Sequence, residues 1–135
     1  MERLSQIKLP AKLENLTAIL QSVKDCAGEQ GFAQKKLTEI ELAIEEILVN
    51  IFNYAYEGEP GYARVTCGLD KYRQFIIEIE DAGIPFDPFS LDSPDLTDDI
   101  GERRIGGLGV FIVRNLMSDM QYRRESDKNI IRIKV

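Results

Sequence analysis

Between residues 34 and 56, Leu37, Ile40, Ile44, Ile47, Leu48 and Ile51 step by three and four. That spacing predicts an α-helix with one apolar stripe, and the stripe must lie against an apolar surface. The helix runs out at Gly58-Glu59-Pro60-Gly61, a strong breaker. Residues 63–69 and 74–80 then read as two strands joined at Asp70-Lys71-Tyr72-Arg73, which predicts an antiparallel hairpin.

The flanking segments follow the same logic. Residues 4–9 predict a strand stopped by Pro10. Pro10-Ala11-Lys12 leads into a helix with Leu13, Leu16, Ile19, Leu20 and Val23 at helical spacing, ending near Gly28 to Gly31. Phe32 is expected to pack in the turn. Residues 87–104 carry Asp-Pro and Asp-Ser-Pro clusters and no period, so a long loop is expected there. Residues 106–117 read as a helix with Leu108, Ile112, Val113 and Leu116 on one face. Strands at 120–125 and 130–135 close the chain, turned at Ser126-Asp127-Lys128-Asn129. Helices interspersed with hairpins predict an α+β fold: a two-layer sandwich, with helices on one face of a mixed, mostly antiparallel sheet.

A length of 135 residues fits one domain, 1–135, with one core. The formal charge of -6 argues against a general nucleic-acid or anionic-membrane binder. The chain has no histidine, which excludes histidine bases and phosphohistidine within it. Cys26 and Cys67 lack CxxC or metal-type spacing and read as reduced thiols, buried or half-buried. Met1-Glu2-Arg3-Leu4-Ser5 opens no apolar run of secretory or spanning length, so a cytoplasmic location is expected.

Three segments carry candidate chemistry. Glu46 and Asn50 are four apart on the central helix, roughly 40° from each other around its axis, with Asn53 in the same sector. They could be a solvated helix face. Alternatively they supply an amide oxygen for magnesium, which keeps waters and phosphates in most of its octahedron, and a carboxylate to polarise an attacking hydroxyl.

Asp81-Ala82-Gly83 turns out of a strand. Read plainly it is a strand-end turn; read chemically, Asp81 accepts from an exocyclic amino group such as adenine carries, and Gly83 lets the base approach the backbone. Gly106-Gly107-Leu108-Gly109 opens a helix. It is either a loop-to-helix joint or a set of backbone N–H groups for phosphate, with Arg103 and Arg104 the nearest cations. No Gly-Lys-Ser/Thr follows, which excludes a Walker loop.

In this order, the segments resemble those of the GHKL ATPase superfamily, and within it the stand-alone anti-sigma-factor serine/threonine kinases of bacterial partner-switching systems. Residues 45–56 are similar to that family's N-box, 81–88 to its first glycine box and 106–109 to its second. The resemblance implies a Bergerat-type sandwich that binds ATP and Mg2+. Asn50 would be the magnesium ligand, Glu46 the base and Asp81 the adenine contact beside Gly83. Asn53, Arg104, Gly106, Gly107, Leu108 and Gly109 would complete the nucleotide site, under a lid of about residues 87–105. It further implies a homodimer whose substrate is an anti-sigma antagonist protein and whose other partner is a sigma factor, with no direct nucleic-acid or membrane contact. The chain departs from the pattern in three places. Tyr54 stands where many of these kinases have histidine, Pro85 replaces a glycine, and Ser126 to Asn129 lacks the Gly-Thr common before the last strand.

Overall fold

The computed structural model describes residues 1–87 and 114–135. Arg104, the glycine turn at 106–109 and nearly all of the expected lid and final helix lie outside the described residues. The elements are β1 (Glu2–Pro10), α1 (Leu16–Glu29), α2 (Gln34–Asn50), β2 (Tyr62–Leu69), β3 (Phe75–Asp81), β4 (Asp119–Glu125) and β5 (Lys128–Lys134). A 3-10 turn at Leu13–Asn15 precedes α1, and a π-turn at Ile51–Ala55 continues α2.

The five strands form one sheet in the order β1-β2-β3-β5-β4. Among the described residues every neighbouring pair is antiparallel, in keeping with the expected sandwich of helices on a mostly antiparallel sheet. The physical reason lies in the connections. β2–β3 and β4–β5 are hairpins, and the longer links also return the chain against its neighbour rather than beside it in parallel. Both α1 and α2 cover the same face. Ile19, Val23 and Ala27 of α1, with Ile40, Ile44, Ile47 and Leu48 of α2, are buried against Val65, Cys67, Ile77, Ile79, Ile131 and Ile133. Phe32 packs edge-on to Phe75 at 5.6 Å between ring centroids, closing the α1–α2 corner.

The other sheet face is laced with charge. Glu78 takes both Arg132 and Arg123, at 3.3 and 3.5 Å, while Glu80 pairs with Arg64 at 3.2 Å. Cross-strand charge of alternating sign suits a face in contact with water. Cys26 and Cys67 are buried free thiols, and burial pushes the Cys67 thiol up to about 12. Among the described residues, no helix is long and apolar enough to cross a membrane.

Two local departures matter for the site. The single helix expected over 34–56 is α-helical only to Asn50, after which the wider π-turn carries the chain to Ala55. The last turn, expected to occupy 126–129, is only Ser126-Asp127, with Glu125 paired to Lys128. Both turn residues have positive φ, 50° and 63°, the two-residue loop whose twist matches a hairpin. Asn129 is therefore a strand residue.

Candidate functional site

The stripe on α2 is wider than the apolar residues alone suggest. At about 100° per residue, Asn50 lies only about 20° from Ala43, at the edge of the buried arc that ends the apolar stripe. Ala43 is fully buried and Asn50 is 6% exposed. Asn50 therefore points into the sandwich rather than to solvent. Its side-chain amide makes no hydrogen bond among the described residues, although buried amides ordinarily find partners. Asn53, beyond the start of the π-turn, is exposed and does not join it.

Asp81 ends β3 on the inward side and is 3% exposed. Asn50 and Asp81 line one recess together with Ile47, Ile51, Ala55, Phe86, Asn129 and Ile131. The recess is small, with room inside it near that of one water. Apolar walls with a few converging polar groups, here Asn50, Asp81 and Asn129, are the usual make-up of a small-molecule site.

Oδ1 of Asp81 accepts from Gly83 N and from Asn129 Nδ2, both at 2.9 Å. Oδ2 accepts nothing among the described residues, so it is the oxygen left for a ligand. Burial pushes the Asp81 carboxyl above its ordinary value, while the Asn129 and Gly83 donors and the charge of Arg124 oppose that rise. A carboxylate in this position suits an amino-group donor in a dry pocket.

The turn that follows Asp81 is held from two sides. Ile84 N donates to Ala55 O at 2.8 Å, and a Cβ on Gly83 would sit 2.2 Å from that same oxygen. Gly83 is thus needed where the turn presses on the π-turn backbone, a different reason from the expected approach of a base. On the far side, Arg124 donates to Gly83 O at 2.8 Å. Tyr56, just past the π-turn, accepts from Ala82 N at 2.8 Å and donates to Tyr62 O.

Glu46 lies one helical turn before Asn50, outside the recess lining, and is half-buried with no cation beside it among the described residues. Burial, and then the neighbouring charge of Glu45, hold its carboxyl above the ordinary range. That direction suits a proton acceptor, whose strength rises with its pKa. Of the sequence-predicted residues, Asn50 and Asp81 are thus gathered in the recess, with Gly83 in the turn bonded to Asp81, Glu46 one helical turn from Asn50 and Asn53 turned away.

Asn129 was missed. It is 2% exposed, stands in register with Asp81 and bonds to it. Counting inward positions back by twos from Ile133 and Ile131 would have found it.

The sequence profile described as Histidine kinase-like ATPase domain matches residues 9–135. A serine-protein kinase RsbW of Bacillus cereus (strain G9842) is 30% identical over 140 residues, covering 99% of this chain and 87% of the relative. One of Bacillus anthracis is 29% identical with the same coverage. The crystal structure of the RsbU and RsbW domains of Rv1364c from Mycobacterium tuberculosis has a TM-score of 0.63 at 13% identity, and covers 97% of this chain but 32% of that longer one. The histidine kinase domain of the Erythrobacter litoralis EL346 blue-light activated histidine kinase has a TM-score of 0.56 at 18% identity, over 89% of this chain and 60% of that one. These structural likenesses carry the fold. The profile, spanning both helices, every strand from β2 onward and the Asn50–Asp81 recess, carries more: the chain belongs to the histidine kinase-like ATPase family.

Proposed function

We propose that this chain is an ATP-dependent serine/threonine protein kinase and anti-sigma factor, with residues 1–135 acting as one ATP-binding unit. The observation that carries the reading is the recess itself. It sets a buried amide and a carboxylate oxygen, neither with a hydrogen-bond partner among the described residues, among apolar walls, in a chain aligned along 99% of its length with a protein named serine-protein kinase. The donor set fits magnesium-ATP. The Asn50 amide oxygen is a hard ligand for Mg2+, and Asp81 Oδ2 is an acceptor for the adenine amino group.

ATP supplies the phosphoryl group, and the chain's own residues position and deprotonate. In the transfer, a new O–P bond forms to the substrate hydroxyl and the bond between the γ-phosphorus and the β–γ bridging oxygen breaks, releasing ADP. The hydroxyl proton passes to Glu46. Such transfer depends on alignment and charge neutralisation more than on covalent help from the protein.

The substrate in this reading is an anti-sigma antagonist protein, and the sequestered partner is a sigma factor, both met in the cytoplasm. The working form is a homodimer, since a stable interface needs roughly 800 Å² per partner and a domain of this size gains area by pairing. Labelled phosphate from ATP should appear on serine or threonine of the antagonist. Nucleotide binding without any label on the partner would reduce the chain to an ATP-dependent binding module, and phosphohistidine on the partner would make it a sensor-kinase domain acting in trans. Light scattering with ATP present should give twice 15.3 kDa; the monomer mass would remove the dimer.

A further inference from the structure

Asn129 makes more side-chain bonds than any other described residue near the recess, and all of them have the sense that holds Asp81 still. Its Nδ2 donates to Asp81 Oδ1 at 2.9 Å and to Ile84 O at 2.7 Å. Its Oδ1 accepts from the Tyr122 hydroxyl, from Arg124 at 3.2 Å and from Phe86 N at 3.4 Å. Both amide hydrogens meet acceptors and the oxygen meets donors, so a flipped amide would lose all of these bonds except the one to the Tyr122 hydroxyl, which can also accept. The orientation is determined by the surroundings.

We propose that Asn129 is the positioning and specificity residue of the recess. By occupying Oδ1 of Asp81, it fixes the carboxylate plane and leaves Oδ2 as a pure acceptor aimed at the ligand, which selects 6-amino over 6-oxo purines. The inference rests on the reading of Asp81 as the adenine contact. Asp81 alone could rotate about its last torsion, which is broad for a carboxylate. The Gly83 N–H constrains it from its own turn, only two residues away. Asn129 constrains it from the neighbouring strand, in register, through an amide that three further donors hold in place.

A hypoxanthine nucleotide carries oxygen where adenine carries the amino group, so it cannot make the 6-amino bond to Oδ2. Loss of aim at Asp81 therefore weakens adenine binding alone, whereas general damage weakens both. Calorimetry with ADP and with IDP, magnesium present, reads the difference. The unaltered protein should prefer ADP. Asn129→Ala should lose ADP affinity by about tenfold or more while leaving IDP affinity in place, since a hydrogen bond to a charged group is at stake. Asn129→Thr, which keeps a hydroxyl donor for Asp81, should restore most of the preference.

An ADP-to-IDP ratio unchanged in Asn129→Ala, or both affinities falling together, overturns the proposal. If the unaltered protein shows no preference, the adenine assignment of Asp81 fails first, and visibly so. Should Asn129→Ala not fold, Tyr122→Phe removes only the hydroxyl that steadies Asn129 Oδ1. It should lower the ratio in the same direction, and a constant ratio there overturns the proposal as well.

Discussion

Asp81→Asn probes the recess most directly, because its surroundings determine which way the new amide turns. Gly83 N and Asn129 Nδ2 both donate to Oδ1, each at 2.9 Å. An amide at position 81 keeps both bonds only with its oxygen in that place, which puts its NH2 where Oδ2 stood. An acceptor becomes a donor at the ligand-facing point, with no change of shape. The lost bond to a charged acceptor is about 1.5–3 kcal/mol, so ADP affinity should weaken by about 10- to 150-fold. Stability should move the other way. Burial, the largest influence, holds the Asp81 carboxyl above its unfolded value despite Asn129, Gly83 and Arg124. A carboxyl raised in the fold binds its proton more tightly there than in the unfolded chain. Stability therefore falls as pH climbs between the unfolded and folded values, and the reduction persists at neutral pH. The neutral amide escapes that reduction. Calorimetry for ADP and urea unfolding, run side by side at neutral pH, should show a variant at least as stable as the parent that binds ADP poorly. ADP binding at parental affinity would refute the adenine contact, and a clear loss of stability would refute the account of burial.

Glu46→Gln should keep nucleotide binding and lose phosphoryl transfer; in the parent, transfer should rise with pH as Glu46 sheds its proton above the ordinary 4.5, a limb the variant lacks. Transfer at the parental rate would remove the base. Asn50→Ala should weaken ADP binding with magnesium and change little once the metal is chelated, and it should cost less stability than its burial suggests because its amide makes no hydrogen bond among the described residues; equal weakening with and without magnesium would refute the ligand role. Gly83→Ala places a Cβ 2.2 Å from Ala55 O and breaks the adjoining Ile84 bond, so urea unfolding should show a loss of about 2 kcal/mol or more. A change within about 0.5 kcal/mol would mean the turn relaxes freely.

The layers of the fold were legible because each depends on a local period. Ile40, Ile44, Ile47 and Leu48 repeat at helical spacing and are buried, and the 63–69 and 74–80 alternation became the β2–β3 hairpin. Asp81 was legible for a similar reason, as the polar residue that ends an apolar strand. The α2 break at Asn50 was not, because hydrogen-bond spacing can widen to a π-turn without disturbing the apolar pattern, and Asn53 was grouped with Asn50 in consequence. Asn129 was hidden by its company: Ser, Asp, Lys and Asn in a row look like one turn, and only the paired geometry shows that two of them suffice. The role of Gly83 depends on Ala55, 28 positions away, a contact no local pattern announces.

The π-turn has an implication for how this chain can vary. It places Ala55 O within reach of Ile84 N and hard against Gly83, joining the end of a helix to the rim of the recess by backbone atoms alone. The junction's hydrogen bond uses no side chain from 51 to 55, so it survives conservative exchange there, within the limits that buried Ile51 and Ala55 set, but not a change in their number. Removing one residue would return the segment to α-helical winding and swing everything after it by about 100°, carrying the Ala55 carbonyl and the Tyr56 hydroxyl off their partners together. Homologous chains should accordingly tolerate substitution across this stretch far more readily than insertion or deletion, and grafts or circular variants of the domain should keep the interval from Asn50 to Tyr56 at constant length.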